Sequence, residues 1–312
     1  LDGRATSGSW RVAKDFPDLP AWIVKAVGGT TTHWAGATPR FKDYEFKALS
    51  TYGKLEGASL LDWPISLEEM EPYYDKAEKA LGSTHRHGRP PLPANNNYKV
   101  FEAGAKKLGY KQVHTGRMAI NAQDYDGRSS CQQAGFCFQG CKYGAKWSAA
   151  YTDIPRGEAT GNLEVREQSH VLRIEHNKAG KVTGVVYADK DGKEHMQKAR
   201  VVCVAWNSIE SPRLLLNSAS SKFPDGLANS SGQVGRNYMR HMTGSVYATF
   251  EKPVKMWRGT TMAGIITDES KNDPSRGFVG GYEMETLALG LPFMAGFLIP
   301  GVTPCASFAL RF

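Results

Sequence analysis

Residues 163–205 place the tightest limits on what this chain can fold into. The run His170–His176, HVLRIEH, alternates polar and apolar side chains, and so does Lys181–Asp189, KVTGVVYAD. A period of two is the signature of a strand with one face covered. Asn177–Gly180 supplies the turn between the two runs, and Asp189–Gly192 a second turn. Ala199–Ala205 is almost continuously apolar, which predicts a strand buried on both faces with Cys203 in the core. Together these runs predict a three-stranded antiparallel meander returning to a central parallel strand, with a short strand at Leu163–Arg166 before it. Beyond Ala205 the pattern changes to helical spacing, with Ser211 as the expected cap and Pro212 at the first helical position. A helix that starts at the end of a parallel strand suits a phosphate or another polar part of a cofactor, and Asn207 lies at that turn. The predicted class is therefore α/β, with mixed α+β parts.

The remaining chain adds shorter elements. Ser66 and Glu69 form a capping-box pattern. A second helix is expected over Pro72–Leu81, stopped by Gly82, and another over Phe101–Leu108. Asp43–Leu49 reads as a short, partly helical turn, and Tyr110–Ile120 as extended. His85–Asn97, HRHGRPPLPANNN, reads as a loop. Met242–Lys252 and Gly277–Met284 alternate and predict the start of an antiparallel sheet. Residues 1–26 read as irregular, anchored by Trp10, Trp22 and Ile23. A length of 312 residues suits about two domains. The net charge of +8 is scattered, with no like-charge block, which argues against nucleic acid as a partner. No run of eighteen apolar residues is present, so no transmembrane segment is expected.

Two stretches concentrate chemistry-bearing side chains. The first, Val27–Pro39, reads VGGTTTHWAGATP. Its paired glycines allow close backbone approach to a ligand, its threonines can hydrogen-bond or cap, His33 offers a nucleophilic nitrogen, and Trp34 a flat wall. A Gly/Thr surface turn is the alternative. The second is CQQAGFCFQGCKYGAK, with Cys131, Cys137 and Cys141 in a five-then-three spacing. Three readings stand for it. A zinc site wants four ligands, and no fourth is near in sequence. A disulfide requires an oxidising compartment. An iron–sulfur cluster is held by thiolates, with Gly135 and Gly140 letting the chain wrap it.

The segments VGGTTTHWAGATPRF, DWPIS with EPYY, the cysteine segment, SPRLLLNS and VGRNYMRH, in this order, resemble the glucose–methanol–choline (GMC) oxidoreductases, in particular gluconate 2-dehydrogenase and sugar dehydrogenase flavoprotein subunits. The resemblance implies a Rossmann-like FAD-binding domain with its meander, followed by the start of an antiparallel-sheet substrate domain. Its implied boundaries are 1–61 with 150–241 for the FAD-binding domain, 62–149 for a lid or insert carrying the cysteines, and 242–312 for the substrate domain. It implies flavin contacts at Gly28, Gly29, Thr32, His33, Trp34, Gly36 and Ala37, with Val171 on the adenine side and Asn207 at the strand-to-helix turn. Some members carry the flavin covalently on the histidine matching His33. In bacterial glucose and fructose dehydrogenases of this family, cysteines matching Cys131, Cys137 and Cys141 hold an iron–sulfur cluster. Trp206-Asn207 replaces the family's usual small residue and glycine, and Lys142 replaces a usual proline.

The implied chemistry is oxidation of a C–OH group of a sugar, sugar acid or polyol by hydride transfer to the flavin, with electrons passed to a cytochrome c partner and a small subunit alongside. That places the protein in the periplasm or at the membrane. An oxygen-using oxidase, or a flavin and iron–sulfur electron-transfer module without its own substrate, would fit the same motifs. The family's GxGxxG turn is expected upstream of Leu1, and its catalytic His with a His/Asn partner downstream of Phe312. The chain is thus expected to be an internal part of a longer protein with no catalytic residue of its own.

Overall fold

The computed structural model describes residues 24–239, 241 and 243–288. Trp10, Trp22, Ile23 and Cys305 lie outside the described residues. In chain order the helices and strands are α1 (Asp43–Phe46), α2 (Ala48–Tyr52), α3 (Leu67–Leu81), α4 (Asn96–Lys107), β1 (Val113–Thr115), α5 (Asp153–Ala159), β2 (His170–His176), β3 (Val182–Ala188), β4 (Glu194–Lys198), α6 (Glu210–Asn217), β5 (Gly264–Ile266) and β6 (Met284–Glu285). Both sheets are three-stranded and antiparallel, ordered β1-β5-β6 and β2-β3-β4. The architecture is thus a mix of helices and antiparallel sheet. The chain divides into two compact units, one from residues 1–160 with 250–312, the other from 161–249.

In the first unit, α3 begins where the capping box predicts it. Ser66 Oγ accepts from the Glu69 amide at 3.2 Å, and the Glu69 carboxylate accepts from the Ser66 amide at 2.7 Å. The helix runs on through Pro72 as one element and stops at Gly82, whose φ of 74° is left-handed. The expected separate helix from Pro72 is therefore absent, because the upstream turn already fixes its direction. Helix α4 starts five residues earlier than its apolar spacing suggests. Asn95 caps it by accepting from the Tyr98 amide at 2.8 Å, a local bond that helical periodicity does not register.

The core of this unit is built on an irregular extended segment. Met118, Ala119, Ile120 and Asn121 are each at most 2% exposed. Met118 and Ile120 pack with Leu92, Cys137 and Ala145, and Ala37, Cys131, Cys141 and Met262 pack against that cluster. Beside it, Glu78 accepts from Arg40 Nε at 2.9 Å, Arg40 Nη2 at 2.7 Å and Arg117 Nη1 at 2.7 Å. Its side chain is 4% exposed. Burial alone would raise its pKa, but the hydrogen bonds and charges of Arg40 and Arg117 outweigh it, so the carboxyl lies below the ordinary glutamate range. Among the described residues, Asp75, Glu78 and His87 are the one acidic or histidine trio close enough to share an ion. The guanidinium groups already occupy both Glu78 oxygens, so the trio is an ion-pair network.

In the second unit β2 and β3 form on the predicted runs, with a bulge between Val171 and Arg173, but the third strand of the meander is Glu194–Lys198, which no predicted run covers. Helix α6 lies on β2. Ile174, Leu214 and Leu227 form the core, and the Ser218 hydroxyl accepts from the Ile174 amide at 2.8 Å while donating to Leu214 O at 2.7 Å. Three expectations fail here. Residues 163–166 form no strand. Residues 199–205 form no strand either: Val202 and Val204 face the core, while Val201 is 74% exposed and Cys203 is exposed. An extended chain hides only alternate side chains when no strand pairs beside it, and none does among the described residues. The α6 cap is Asn207 rather than Ser211, its Oδ1 accepting from the Ile209 amide at 2.9 Å and the Glu210 amide at 2.8 Å.

The alternation at 243–252 and 277–283 yields no strand, and only Met284–Glu285 joins a sheet. Its partner, β5, carries no clear pattern because all three of its residues are buried.

Replacing the buried Glu78 by Gln removes the anion shared by two half-buried guanidinium groups. We expect a loss of about 3 kcal/mol at neutral pH, read by urea unfolding. A depressed folded pKa gives stability that is present above the ordinary glutamate value and lost as pH falls through the folded one. Wild type should therefore lose stability on acidification below about pH 4.3, and Glu78→Gln should show a shallower acid slope.

Candidate cofactor site

The stretch from Gly28 to Pro39 folds as a tight turn leading into an extended rail. Gly28 and Gly29 adopt φ of 88° and 55°, and residues Gly29–Thr32 close one 3-10 turn. The His33 and Trp34 amides both donate to Thr30 O, at 3.2 and 2.9 Å. The Thr31 hydroxyl reaches Gly28 O at 2.6 Å, and that of Thr32 reaches Gly29 O at 2.9 Å. The threonines therefore stabilise the turn itself. A Cβ on Gly28 would come within 2.6 Å of the Ala150 side chain, whereas one on Gly29 would meet nothing within 4 Å. One glycine is required by packing, and the other faces open space. His33 and Trp34 are half-buried, and Trp34 meets Trp147 edge-on with ring centroids 6.4 Å apart.

Beyond the turn, Gly36–Thr38 runs beside residues 117–119. Ala119 N donates to Gly36 O at 2.7 Å, and Thr38 N to Arg117 O at 2.9 Å. On the other side of this rail, Trp147 N donates to Ala119 O and Asn121 N to Ala145 O, both at 2.9 Å. Ala37 sits in a bridge with Met118 and packs against the core cluster.

The same rail anchors the cysteines. Cys131 N donates to Asn121 O at 2.8 Å. Cys131, Cys137 and Cys141 all pack around the Met118–Ile120 cluster, and each is a free thiol. Burial pushes the Cys131 thiol up to about 11. Gly135, with φ of 76°, lies against the Trp257 carbonyl, so a side chain there would collide with backbone. Its glycine serves the approach of another segment. Gly140, with φ of 84°, faces open space. The three sulfurs do not all lie within 4.8 Å of one another. A single tetrahedral ion bound at about 2.3 Å would need them closer. Irons of a cluster each take a separate thiolate, and three unbridged thiols around one apolar cluster supply that donor chemistry.

One group in this site escaped the sequence reading. Lys146 is 1% exposed, yet its Nζ donates to Thr31 O at 2.8 Å and Thr32 O at 3.2 Å. Burial lowers its pKa, and Cys137 and Cys141 act against that shift through their charge. Ser148, fully buried, places its hydroxyl 3.2 Å from that of Thr31. Position next to an apolar alanine was the only clue to Lys146.

Val171 and Asn207 belong to the second unit. Val171 is half-buried against its core, and the Asn207 amide oxygen is engaged in capping α6.

Residues 20–243 match the family described as GMC oxidoreductase. The chain belongs to that family. GMC oxidoreductases bind FAD, and the open face at Gly29 beside His33 and Trp34 fits a flat ring laid against the turn. The chain is 34% identical over 279 residues to 2-methyl-1,2-propanediol dehydrogenase of Mycolicibacterium austroafricanum, covering 85% of this chain and 50% of that protein. It is 32% identical over 260 residues to the fructose dehydrogenase large subunit of Gluconobacter japonicus, covering 78% and 46%. It is 26% identical to the gluconate 2-dehydrogenase flavoprotein of Pantoea cypripedii, covering 94% and 55%. The chain thus spans about half the length of these relatives. Among the described residues no helix is long and apolar enough to cross a membrane.

Thiol alkylation should follow the burial order rather than the sequence pattern. We expect iodoacetamide to modify Cys203 first in the native protein, and Cys131 at least about tenfold more slowly, by peptide mass spectrometry.

Proposed function

We propose that this chain is the flavin-binding part of an FAD-dependent dehydrogenase that oxidises a C–OH group of a sugar, sugar acid or polyol. The flavin, when bound, supplies the hydride acceptor, and the electrons go on to an acceptor other than oxygen, such as a cytochrome. The names of the relatives support the substrate class. The observation that carries the reading is the Gly28–Ala37 loop, held by buried groups within the region matching the family. Its turn is built by its own threonines, its outer face at Gly29 is open, and His33 and Trp34 stand half-buried beside that face.

In this reading Gly28, Gly29, Thr32, His33, Trp34, Gly36 and Ala37 hold and orient the flavin, and His33 anchors it covalently. Val171 lies on the adenine side and Asn207 near the strand-to-helix turn, within a Rossmann-like domain. Cys131, Cys137 and Cys141 hold an iron–sulfur cluster that suits onward electron transfer. The chain's own residues supply position, shape and exclusion of water. No proton-transfer role falls to His85, His114, His170 or His241. A periplasmic or membrane-associated location, with a small subunit and a cytochrome c partner, follows from the same reading.

Full-length protein should bleach anaerobically with one of a panel of sugars, sugar acids and polyols, and reoxidise faster with cytochrome c than with oxygen. Faster reoxidation by oxygen would make it an oxidase. A flavin that no alcohol reduces would make it an electron-transfer module. Acid-precipitated wild type should stay yellow and His33→Ala should release its flavin; a colourless wild-type pellet would refute the covalent bond. Cys137→Ser should lose bound iron, and iron-free wild type prepared anaerobically would refute the cluster.

A further inference from the structure

Among the described residues Lys146 is the one buried lysine, and it ends on the Gly28–Ala37 loop. Its backbone bridges Ile120 on the rail. Its stem passes under Gly36, where an added Cβ would lie 3.6 Å from the Lys146 Cγ. Its Nζ then ends at the carbonyls of Thr31 and Thr32, at 2.8 and 3.2 Å. The side chain therefore lines the inner face of the loop from Gly36 back to the turn that presents His33. Among the described residues no carboxylate pairs with it.

A buried ammonium needs both hydrogen-bond acceptors and a compensating charge. The two carbonyls meet the first need. Both belong to peptides of the 3-10 turn, so the ammonium fixes the orientation of the backbone immediately before His33. The partial negative charge of those same oxygens offsets the ammonium charge. The same charge also acts on any group seated on the loop's outer face, where a positive charge favours an electron-rich ring.

We propose that Lys146 is the positioning residue of the flavin loop. Its donor hydrogens set the geometry of the turn, and its charge tunes the group bound there. This rests on the reading of residues 28–37 as the flavin loop. The first half also holds for the protein without flavin, which keeps the two separable.

The test uses full-length wild type, Lys146→Met and Lys146→Gln. Met keeps the stem and removes both donor and charge; Gln restores a donor without charge. Hydrogen exchange of peptides spanning 28–36 reports the turn, in flavin-loaded and flavin-stripped protein alike. Exchange of the His33 and Trp34 amides should rise at least about tenfold in Lys146→Met and return toward wild type in Lys146→Gln. The flavin midpoint potential should fall in both variants, since both lose the cation. A purely structural lysine would leave the potential of Lys146→Gln unchanged. Wild-type exchange in Lys146→Met, or an unshifted potential in both variants, overturns the proposal. Should Lys146→Met fail to fold, Lys146→Gln against wild type makes the comparison through the potential. A lower potential with exchange at 182–188 unchanged is expected, and an unshifted potential overturns the proposal. Colourless wild type would instead refute the flavin reading, with the exchange result still deciding the role of Lys146.

Discussion

The backbone of residues 117–121 is the constraint on which the first unit depends. It has too few regular partners to be a strand, yet hydrogen bonds leave it in several directions. It binds the Gly28–Pro39 stretch through Gly36 and Thr38, the 145–147 segment through Ala145 and Trp147, and the start of the cysteine segment through Asn121. Thr84 secures it again, its amide donating to Met118 O at 2.9 Å and its hydroxyl accepting from Met118 N at 3.0 Å. Buried peptide groups must find partners, and satisfying them on one rail brings four distant stretches together. Side chains of the rail then supply the apolar cluster around which the cysteines pack.

Charge is buried around this rail in three ways. Glu78 is matched by two guanidinium groups. Arg128 has no carboxylate bond and donates instead to the carbonyls of Leu81 and Ala145, each at 3.1 Å. Lys146 uses the carbonyls of Thr31 and Thr32. A buried cation on carbonyl oxygens orients peptides and stiffens loops that carry no regular structure. The Asn121 side chain does similar work, donating to Tyr125 O at 3.0 Å and Arg128 O at 3.1 Å ahead of Cys131. The candidate site is thus held by side-chain bonds to backbone, although it lies on turns.

The prediction for Glu78 and the proposal for Lys146 share an origin: both are buried charges that the sequence does not distinguish from solvated ones. Glu78 falls in a run of acidic side chains on α3, and Lys146 follows another lysine at Lys142. Neither position has a local pattern that distinguishes a buried charge from an exposed one. The partners, Arg117 and the Thr31 and Thr32 carbonyls, lie 39, 115 and 114 residues away. Cys203 errs in the opposite direction, since an apolar run signals burial only when neighbours cover both faces.

The sequence by itself determined what depends on short-range contacts. The capping box of α3, its glycine stop, the meander turns and the self-bonded Gly28–Thr32 turn all close within about five residues. Motif order likewise carried the GMC assignment across the chain. Tertiary structure alone decided which glycine of the loop is packed and which is open, that the three thiols pack around one apolar cluster, and that a lysine lies beneath the loop. Those outcomes depend on distant backbone groups pairing along residues 117–121, where hydrogen-bond satisfaction and burial are settled jointly and leave no period in the sequence.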